Sequence, residues 1–319
     1  MSPVYPPASL HFVMVKQSDI LSTQSLRAEV SRKLGRSVRE RILAEVAVKN
    51  RDLQAAERPP DFKTKMVEVA LYKDLHRVSY RQLSLRVKPF LPMSDRTLRH
   101  NVQRIRRRLR SWSKTVLVKP SLAVLKNRAK NQRVVKSFGK VNLWMDTSEF
   151  RLTGKSSMSA KDVEWSHKVS GPGRKWLTLH DAFGATVFLA GPFLPKEYDA
   201  HIFLRVLHRI EKHFAGATII ADNHFRSAAD SCTRVDLITK ISKAGRPRVI
   251  RGRRMKRELT KEQERHNKDV SAIRGRVEAP YGNWEQKFRA LEGPFGEGSD
   301  QLDCALRTAA AVHRLRKGK

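Results

Sequence analysis

Cysteine is almost missing: Cys232 and Cys304 are the only two in 319 residues, and they share no paired spacing. A disulfide scaffold and a cysteine-based zinc site are thereby excluded, and the usage suits a reducing compartment. Long apolar runs are missing too. No stretch approaches the roughly 20 apolar residues a membrane-spanning helix needs. The opening Met1-Ser2-Pro3-Val4-Tyr5-Pro6-Pro7 lacks the basic start and apolar middle of a signal peptide. These absences predict a soluble, intracellular protein with no membrane partner. Acidic residues are scarce as well: 31 Asp and Glu stand against 65 Lys and Arg, a formal net charge of +34. Such a surplus repels itself until it meets a polyanion. Nucleic acid is the expected one, because each neutralised phosphate releases a counterion. A membrane surface usually recruits one short basic amphipathic helix, whereas here the excess runs from the N-terminal third to the last residues.

What remains is enough to fold. Hydrophobic residues make up 40% of the chain, so it is not a disordered basic tail, and its length suits about two domains. Residues 1–60 read as a lead-in, in which Val30, Leu34, Val38, Ile42 and Val46 recur every fourth residue from Leu26 to Ala56 as a helical stripe. Residues 61–114 follow a clearer plan. Phe62, Met66, Val69 and Ala70 outline one helix; Ser79-Tyr80-Arg81-Gln82 has the pattern of a capping box. Ser94 then caps a longer helix whose inner face is Leu98, Val102, Ile105 and Leu109. This is the layout of a helix-turn-helix, with the last helix destined for the major groove. Its other faces carry Arg96, Arg99, Arg104, Arg106, Arg107, Arg108 and Arg110. A merely solvated face mixes signs, but Asn101 to Thr115 holds six basic residues and no acid, which points to nucleic-acid contact. Residues 115–140 read as a basic linker.

The character changes after that linker. Val141 to Asp146 reads as a strand ending in an acid, and Thr218 to Asp222 as another. Trp176–His180 and Thr186–Ala190 form an expected hairpin turning at Phe183-Gly184; Asp199 to Phe214 has helical spacing, with Asp199 as its N-cap; and Val235 to Ile238 is a further strand. Strands first, then helices between strands, predict an α/β fold: a mixed sheet with flanking helices, preceded by the all-α helix-turn-helix region. One acid at a strand end is an ordinary turn former, and Asp181 is read that way. Two of them in so basic a protein suggest a site for divalent metal, since hard Mg²⁺ takes carboxylate oxygens and leaves positions open for phosphate and water. A pair of such ions can serve both sides of a phosphodiester. His224, two residues from Asp222, is the one histidine near this pattern.

The third acid comes from a resemblance. Leu259 to Asn267, Arg274-Gly275-Arg276-Val277-Glu278, Tyr281-Gly282 and Lys287 to Leu291 are similar to the C-terminal signature of the DDE-superfamily endonucleases, most closely the PIF/Harbinger transposases. Met145-Asp146-Thr147-Ser148-Glu149 resembles the stretch around their first aspartate, Ile220-Ala221-Asp222 that around the second, and Glu278 stands where their last catalytic glutamate precedes an aromatic-Gly pair. The likeness covers residues 141–315. It implies a ribonuclease-H-like fold, Mg²⁺ or Mn²⁺ as a two-ion cofactor on Asp146, Asp222 and Glu278, and cleavage of double-stranded DNA at element ends followed by joining to target DNA. It also implies a homo-oligomer on DNA, a Myb-like partner protein, and a nuclear location in a eukaryotic host or a cytoplasmic, nucleoid one otherwise.

Three features lie beside this pattern. A basic insert carries Arg251, Arg253, Arg254, Lys256 and Arg257, suited to DNA-backbone contact or to nuclear import. Asn223-His224-Phe225 replaces the small-Gly-aromatic run usual after the second aspartate, and Pro280 is expected to kink or end a helix just past Glu278. Those departures support an alternative: a domesticated or decayed relative that binds DNA without cutting it. A general RNA-binding protein suits the charge but gives the paired acids no purpose.

Overall fold

The computed structural model describes residues 21–47, 61–117, 120–130, 141–154, 159, 161–241, 248–250, 253–255, 259–274 and 278–317, with the side chains of 47, 128–130, 141–142, 248–250, 253–255, 273–274 and 278–279 left out. The expected stripe from Leu26 is real but is not one helix. It splits into α1 (Thr23–Leu34) and α2 (Arg36–Ile42), followed by a wider turn over Leu43–Ala47. Gly35, at φ 87°, breaks it in a conformation other residues rarely adopt. All five stripe residues are nevertheless buried.

Helices α3 (Phe62–His76), α4 (Tyr80–Val87) and α5 (Asp95–Val116) follow. The capping box forms as expected: the Gln82 amide N–H donates to Ser79 Oγ at 3.2 Å, and the Ser79 N–H donates to Gln82 Oε1 at 3.0 Å. Ser94 Oγ caps α5 by accepting from the Thr97 N–H. The expected linker holds a helix of its own, α6 (Leu122–Lys130).

The sheet contains β1 (Val141–Arg151), β2 (Trp165–Ser166), β3 (Gly171–Asp181), β4 (Thr186–Phe193), β5 (Thr218–Ile220) and β6 (Asp236–Ile238). Strand β3 pairs antiparallel with β1, β2 and β4, whereas β1, β5 and β6 run parallel. An antiparallel meander continued by parallel strands is the ribonuclease-H-like arrangement. A separate antiparallel ribbon, β7 (Arg248–Ile250) with β8 (Arg253–Met255), occupies the basic insert. The expected hairpin is β3–β4, where Asp181 forms the turn: its Oδ1 accepts from the Phe183 and Ala185 N–H groups, and Gly184 takes φ 77°. Among the described residues four more α-helices follow: α7 (Asp199–Phe214), α8 (Lys261–Arg274), α9 (Glu278–Lys287) and α10 (Ser299–Lys317), with 3₁₀ turns at Asn223–Ser231 and Arg289–Leu291. Tyr198, not Asp199, is the N-cap of α7; Asp199 turns instead to Lys175 Nζ at 3.0 Å.

Alternation along the strands divides the sheet into two faces. Leu143, Met145, Leu177 and Leu179 pack on one side against Ile202, Phe203, Val206 and Ile210 of α7. On the other side Phe150, Trp176 and Leu189 join a core that continues through Trp284, α10 and the N-terminal helices back to Leu26. The inner face of α5 lies along α10 within that core. Buried polar links cross the same boundary. Trp176 Nε1–H donates to Asp303 Oδ1 at 3.1 Å, and Arg110 pairs with Asp303 at 2.8 Å. Arg106 is wholly buried: it pairs with Asp74 of α3, and its Nη1 donates to Glu297 Oε2 at 2.6 Å. Lys73 meets the other Glu297 oxygen at 2.7 Å. Burial opposes ionisation of Glu297, but Arg106 and Lys73 overcome it and hold the carboxyl down at about 2. Among the described residues no helix is long and apolar enough to cross a membrane.

Removing one member of a buried ion pair strands its partners, at a typical cost of about 3–5 kcal/mol. Arg106→Met is therefore expected to lose stability of that order in urea, with tryptophan fluorescence and circular dichroism reporting one shared transition. A loss below about 1 kcal/mol, the scale of an exposed pair, or two separated transitions, would contradict a shared core. The carboxyl's depressed value adds a pH signature: the stability Glu297 contributes is in place above its ordinary 4.5 and drains away as pH falls from there toward about 2.

Candidate active site

Asp146 stands in the middle of β1 rather than at its end, which corrects the sequence-based expectation. The strand runs on through Thr147 to Arg151 because β3 pairs with it that far, Arg151 opposite Gly173. Asp222, by contrast, follows β5 by two residues and caps the 3₁₀ turn Asn223–Ser231, its Oδ1 accepting from the Asn223 N–H at 2.6 Å. The parallel register of β1 and β5 relates the two acids. In these parallel neighbouring strands Trp144 is level with Ile220; Asp146 and Asp222 each follow by two residues, Asp146 within β1 and Asp222 past the end of β5. Such strands lie about 4.8 Å apart. Both aspartates are half-buried, and Asp146 Oδ1 also accepts from the Thr147 N–H at 2.8 Å.

Behind Asp146 lies a buried polar cluster that the sequence does not reveal. Thr178 is the cross-strand partner of Asp146, and His180 follows on the same face. Thr178 Oγ1 bonds His180 Nε2 at 2.8 Å and also the Tyr281 hydroxyl. That hydroxyl donates to the Asp146 carbonyl at 3.3 Å. Burial foremost, then the Asp146 charge, pushes the Tyr281 phenol well up, so it remains a donor. Tyr281 belongs to α9, and Glu278 opens that helix one turn earlier. Residues three apart share a helix face, so the backbone of Glu278 is held near β1 by the Tyr281 contact. The Glu278 side chain lies outside the described residues, and among those described no three metal-binding side chains gather. Pro280 does not break α9. The described helix runs through it from Glu278 to Lys287. Only the aromatic at Tyr281-Gly282 gives a signal in the sequence; its hydrogen bonds depend on β3, which lies about a hundred residues earlier.

The arginine set divides sharply. Arg107 and Arg108 are exposed on α5, Arg104 is half-buried, and Arg96 and Arg99 line a cavity against Tyr80. Arg106, expected to contact nucleic acid, is withdrawn from phosphate by its burial against Asp74 and Glu297. Arg110 is half-buried and paired to Asp303. In the insert, Arg251, Lys256 and Arg257 lie outside the described residues; Arg253 and Arg254 sit on β8 with side chains not described. His224 is exposed in the 3₁₀ turn after Asp222. Glu149 is bound to Ser166 and Lys175.

Comparison with known proteins adds one finding. A family model described as DDE superfamily endonuclease matches residues 145–314, slightly more than half of the chain, and that span includes Asp146, Asp222 and Glu278. No curated protein and no solved structure gave a significant match.

The histidines behind the site generate a pH prediction. Burial, then the neighbouring His313, lowers His180 to about 3; burial, then Lys317, lowers His313 to about 4. Among the described residues neither ring nitrogen of His313 has a hydrogen-bond partner. Both residues are thus neutral in the fold but charge in the unfolded chain below their ordinary 6.5. The unfolded state then binds more protons, and stability falls as pH drops from 6.5 toward the folded values. Urea midpoints measured between pH 7.5 and 4.5 should decline, and His313→Leu should flatten the decline; an identical slope in the variant would show that His313 plays no part in it.

Proposed function

This chain belongs to the DDE superfamily of endonucleases, and on that premise we propose that it is a metal-dependent DNA transposase acting through Asp146, Asp222 and Glu278. The single observation that carries the reading is the pairing of a register with a tether. The parallel register pairs Trp144 with Ile220, two residues before each aspartate, and the Tyr281–Asp146 hydrogen bond ties the helix that carries Glu278 to the same strand; both support the three acids sharing one site.

The donor chemistry fits a hard divalent ion. One half-buried carboxylate on β1 and another just past β5 would present oxygen ligands, and nearby Thr178, His180 and Tyr281 hold the β1 backbone in place rather than compete as cations. Mg²⁺ or Mn²⁺ held by the three acids, in one or two ions, would supply Lewis-acid polarisation of a phosphate oxygen and a lowered pKa for the attacking hydroxyl. In cleavage at an element end the attacking group is water and the product a free 3′-hydroxyl; in strand transfer that hydroxyl attacks a target phosphodiester. The chain's own part is to fix the carboxylates, orient the scissile strand and hold DNA by its phosphates. Exposed Arg107 and Arg108 on α5, and the basic ribbon β7–β8, support that last task. Helices α3 to α5 would then serve as a helix-turn-helix on double-stranded DNA, within a homo-oligomer, in the nucleus of a eukaryotic host and with a Myb-like partner as the resemblance implies.

A relative that binds without cutting is the alternative. It draws on Pro280 and on Asn223-His224-Phe225. Helix α9 continues through Pro280, and the Asn223 amide serves Asp222 directly, so both residues are compatible with a working site.

Purified protein should nick duplex DNA carrying its element ends in Mg²⁺ or Mn²⁺ and stop when chelator is added. Asp146→Asn, Asp222→Asn and Glu278→Gln should each slow nicking at least a hundredfold, about 2.7 kcal/mol, and should abolish calorimetric Mn²⁺ binding while DNA is still retained. Nicking that persists in Asp222→Asn would sink the assignment; DNA binding without any nicking by the unaltered chain would favour the alternative.

A further inference from the structure

We propose that the cavity between the N-terminal helices and the 290–297 segment receives one unpaired nucleotide of a bound DNA strand, taken together with its phosphate. This rests on the DNA reading above and adds a contact separate from the cleavage centre. The cavity encloses about 660 Å³ and is lined by α3, α4, α5 and the residues just before α10. Pockets of roughly 300–1,000 Å³ suit single small ligands. A duplex cannot enter one, but a base displaced from its stack can.

The charges inside are unequally spent. Glu297 is consumed by Arg106, Lys73 and the Tyr80 hydroxyl, which donates to it at 2.6 Å. Lys73 is consumed in turn, since it also donates to the Val78 carbonyl at 3.2 Å. The other charged lining residues are exposed: one acid, Asp95, against Arg77, Arg96 and Arg99, so cations prevail, and among the described residues none of the three arginines has an acidic side chain within ion-pair distance. Two of them are held in place without losing charge. Arg99 lies over the Tyr80 ring, 5.1 Å from its centroid. Arg77 packs on Gly293, where a Cβ would stand 3.0 Å from its Nη2. Three guanidinium groups around one mouth form a phosphate cradle. Buried Val78 and Phe295, with exposed Pro294, supply an apolar wall for a base, and this combination of exposed cations and apolar wall is what single-stranded recognition uses.

The wall is rigid. The Phe295 N–H donates to the Arg151 carbonyl at 2.9 Å and the Thr153 N–H to the Phe295 carbonyl at 3.0 Å, which stitches the segment to the end of β1. Leu152, bridged to Phe295, lies six residues beyond Asp146, about 20 Å along an extended strand. The cavity and the acids are therefore two stations on one structural element.

The test uses the full chain and fluorescently labelled DNA. One duplex is blunt; the other ends in a single unpaired, 5′-phosphorylated nucleotide, with 2-aminopurine at that position in a parallel sample. The unaltered chain should bind the second duplex at least tenfold more tightly, and 2-aminopurine emission should change on binding. Arg77→Ala and Arg99→Ala should each bring the affinity ratio below twofold. A ratio near one for the unaltered chain, unchanged emission, or a ratio preserved in both variants would overturn the pocket. Equal tight binding of both duplexes would sink the pocket alone, whereas binding of neither would sink the DNA reading with it. Because the emission arm uses the unaltered chain, the pocket stays falsifiable even where a variant fails to fold.

Discussion

If β5 slipped by one residue against β1, Asp222 would no longer be level with Asp146, and its side chain would turn to the opposite face of the sheet. What prevents the slip is apolar: Leu143 and Met145 on β1, with Ile219 and Ala221 at β5, all belong to the core under α7. Burying those four in register leaves the alternating positions to face α9 and α10. The acidic pair is therefore a by-product of how one face of the sheet packs. Helix α9 adds the third element by reaching across with Tyr281 to the backbone carbonyl of Asp146, so the tether acts on the strand itself.

A second layer of organisation makes the helices and the sheet interdependent. The core that begins at Leu26 ends in α10, and the polar links Arg106–Asp74, Arg106–Glu297 and Arg110–Asp303 all join α5 to parts distant in the chain. In a chain with a formal charge of +34, an arginine is by default a candidate to face an anion. These two are not: Arg106 neutralises Asp74 and shares Glu297 with Lys73, and Arg110 shares buried Asp303 with Arg307. Any DNA held on the helices is thereby held at a fixed relation to the strand that carries Asp146. Rigid coupling of this kind is what positioning a scissile phosphate requires.

Much of this is legible in the sequence where the cause is local. The capping residues Ser79 and Ser94, the four-residue stripe of Leu98 to Leu109, and the turn at Asp181 to Gly184 depend on neighbours a few positions away, and each forms as expected. What stays hidden depends on distant partners. Arg106 and Arg107 are indistinguishable in sequence; only Asp74 and Glu297, contributed from elsewhere, make one buried and leave the other exposed. The sequence ends β1 too early because Thr147-Ser148-Glu149 looks polar, yet β3 pairs with it regardless. Helix α6 is masked by a basic, weakly patterned stretch. Pro280 resembles a helix breaker, yet α9 runs through it from Glu278 to Lys287. Glu278 comes from resemblance alone, since nothing in its spacing identifies it, and the Thr178–His180–Tyr281 cluster requires a cross-strand register that no single sequence displays.

Whether Asp146, Asp222 and Glu278 converge on one cation is tested most directly by crystals grown or soaked in Mn²⁺, through the anomalous scattering of the ion. The expected result is a peak bonded to carboxylate oxygens of all three residues at about 2.1 Å, the distance typical of a hard octahedral ion of this size. A peak elsewhere, or one bonded to the two aspartates while Glu278 lies more than a side chain's reach away, would contradict the convergence.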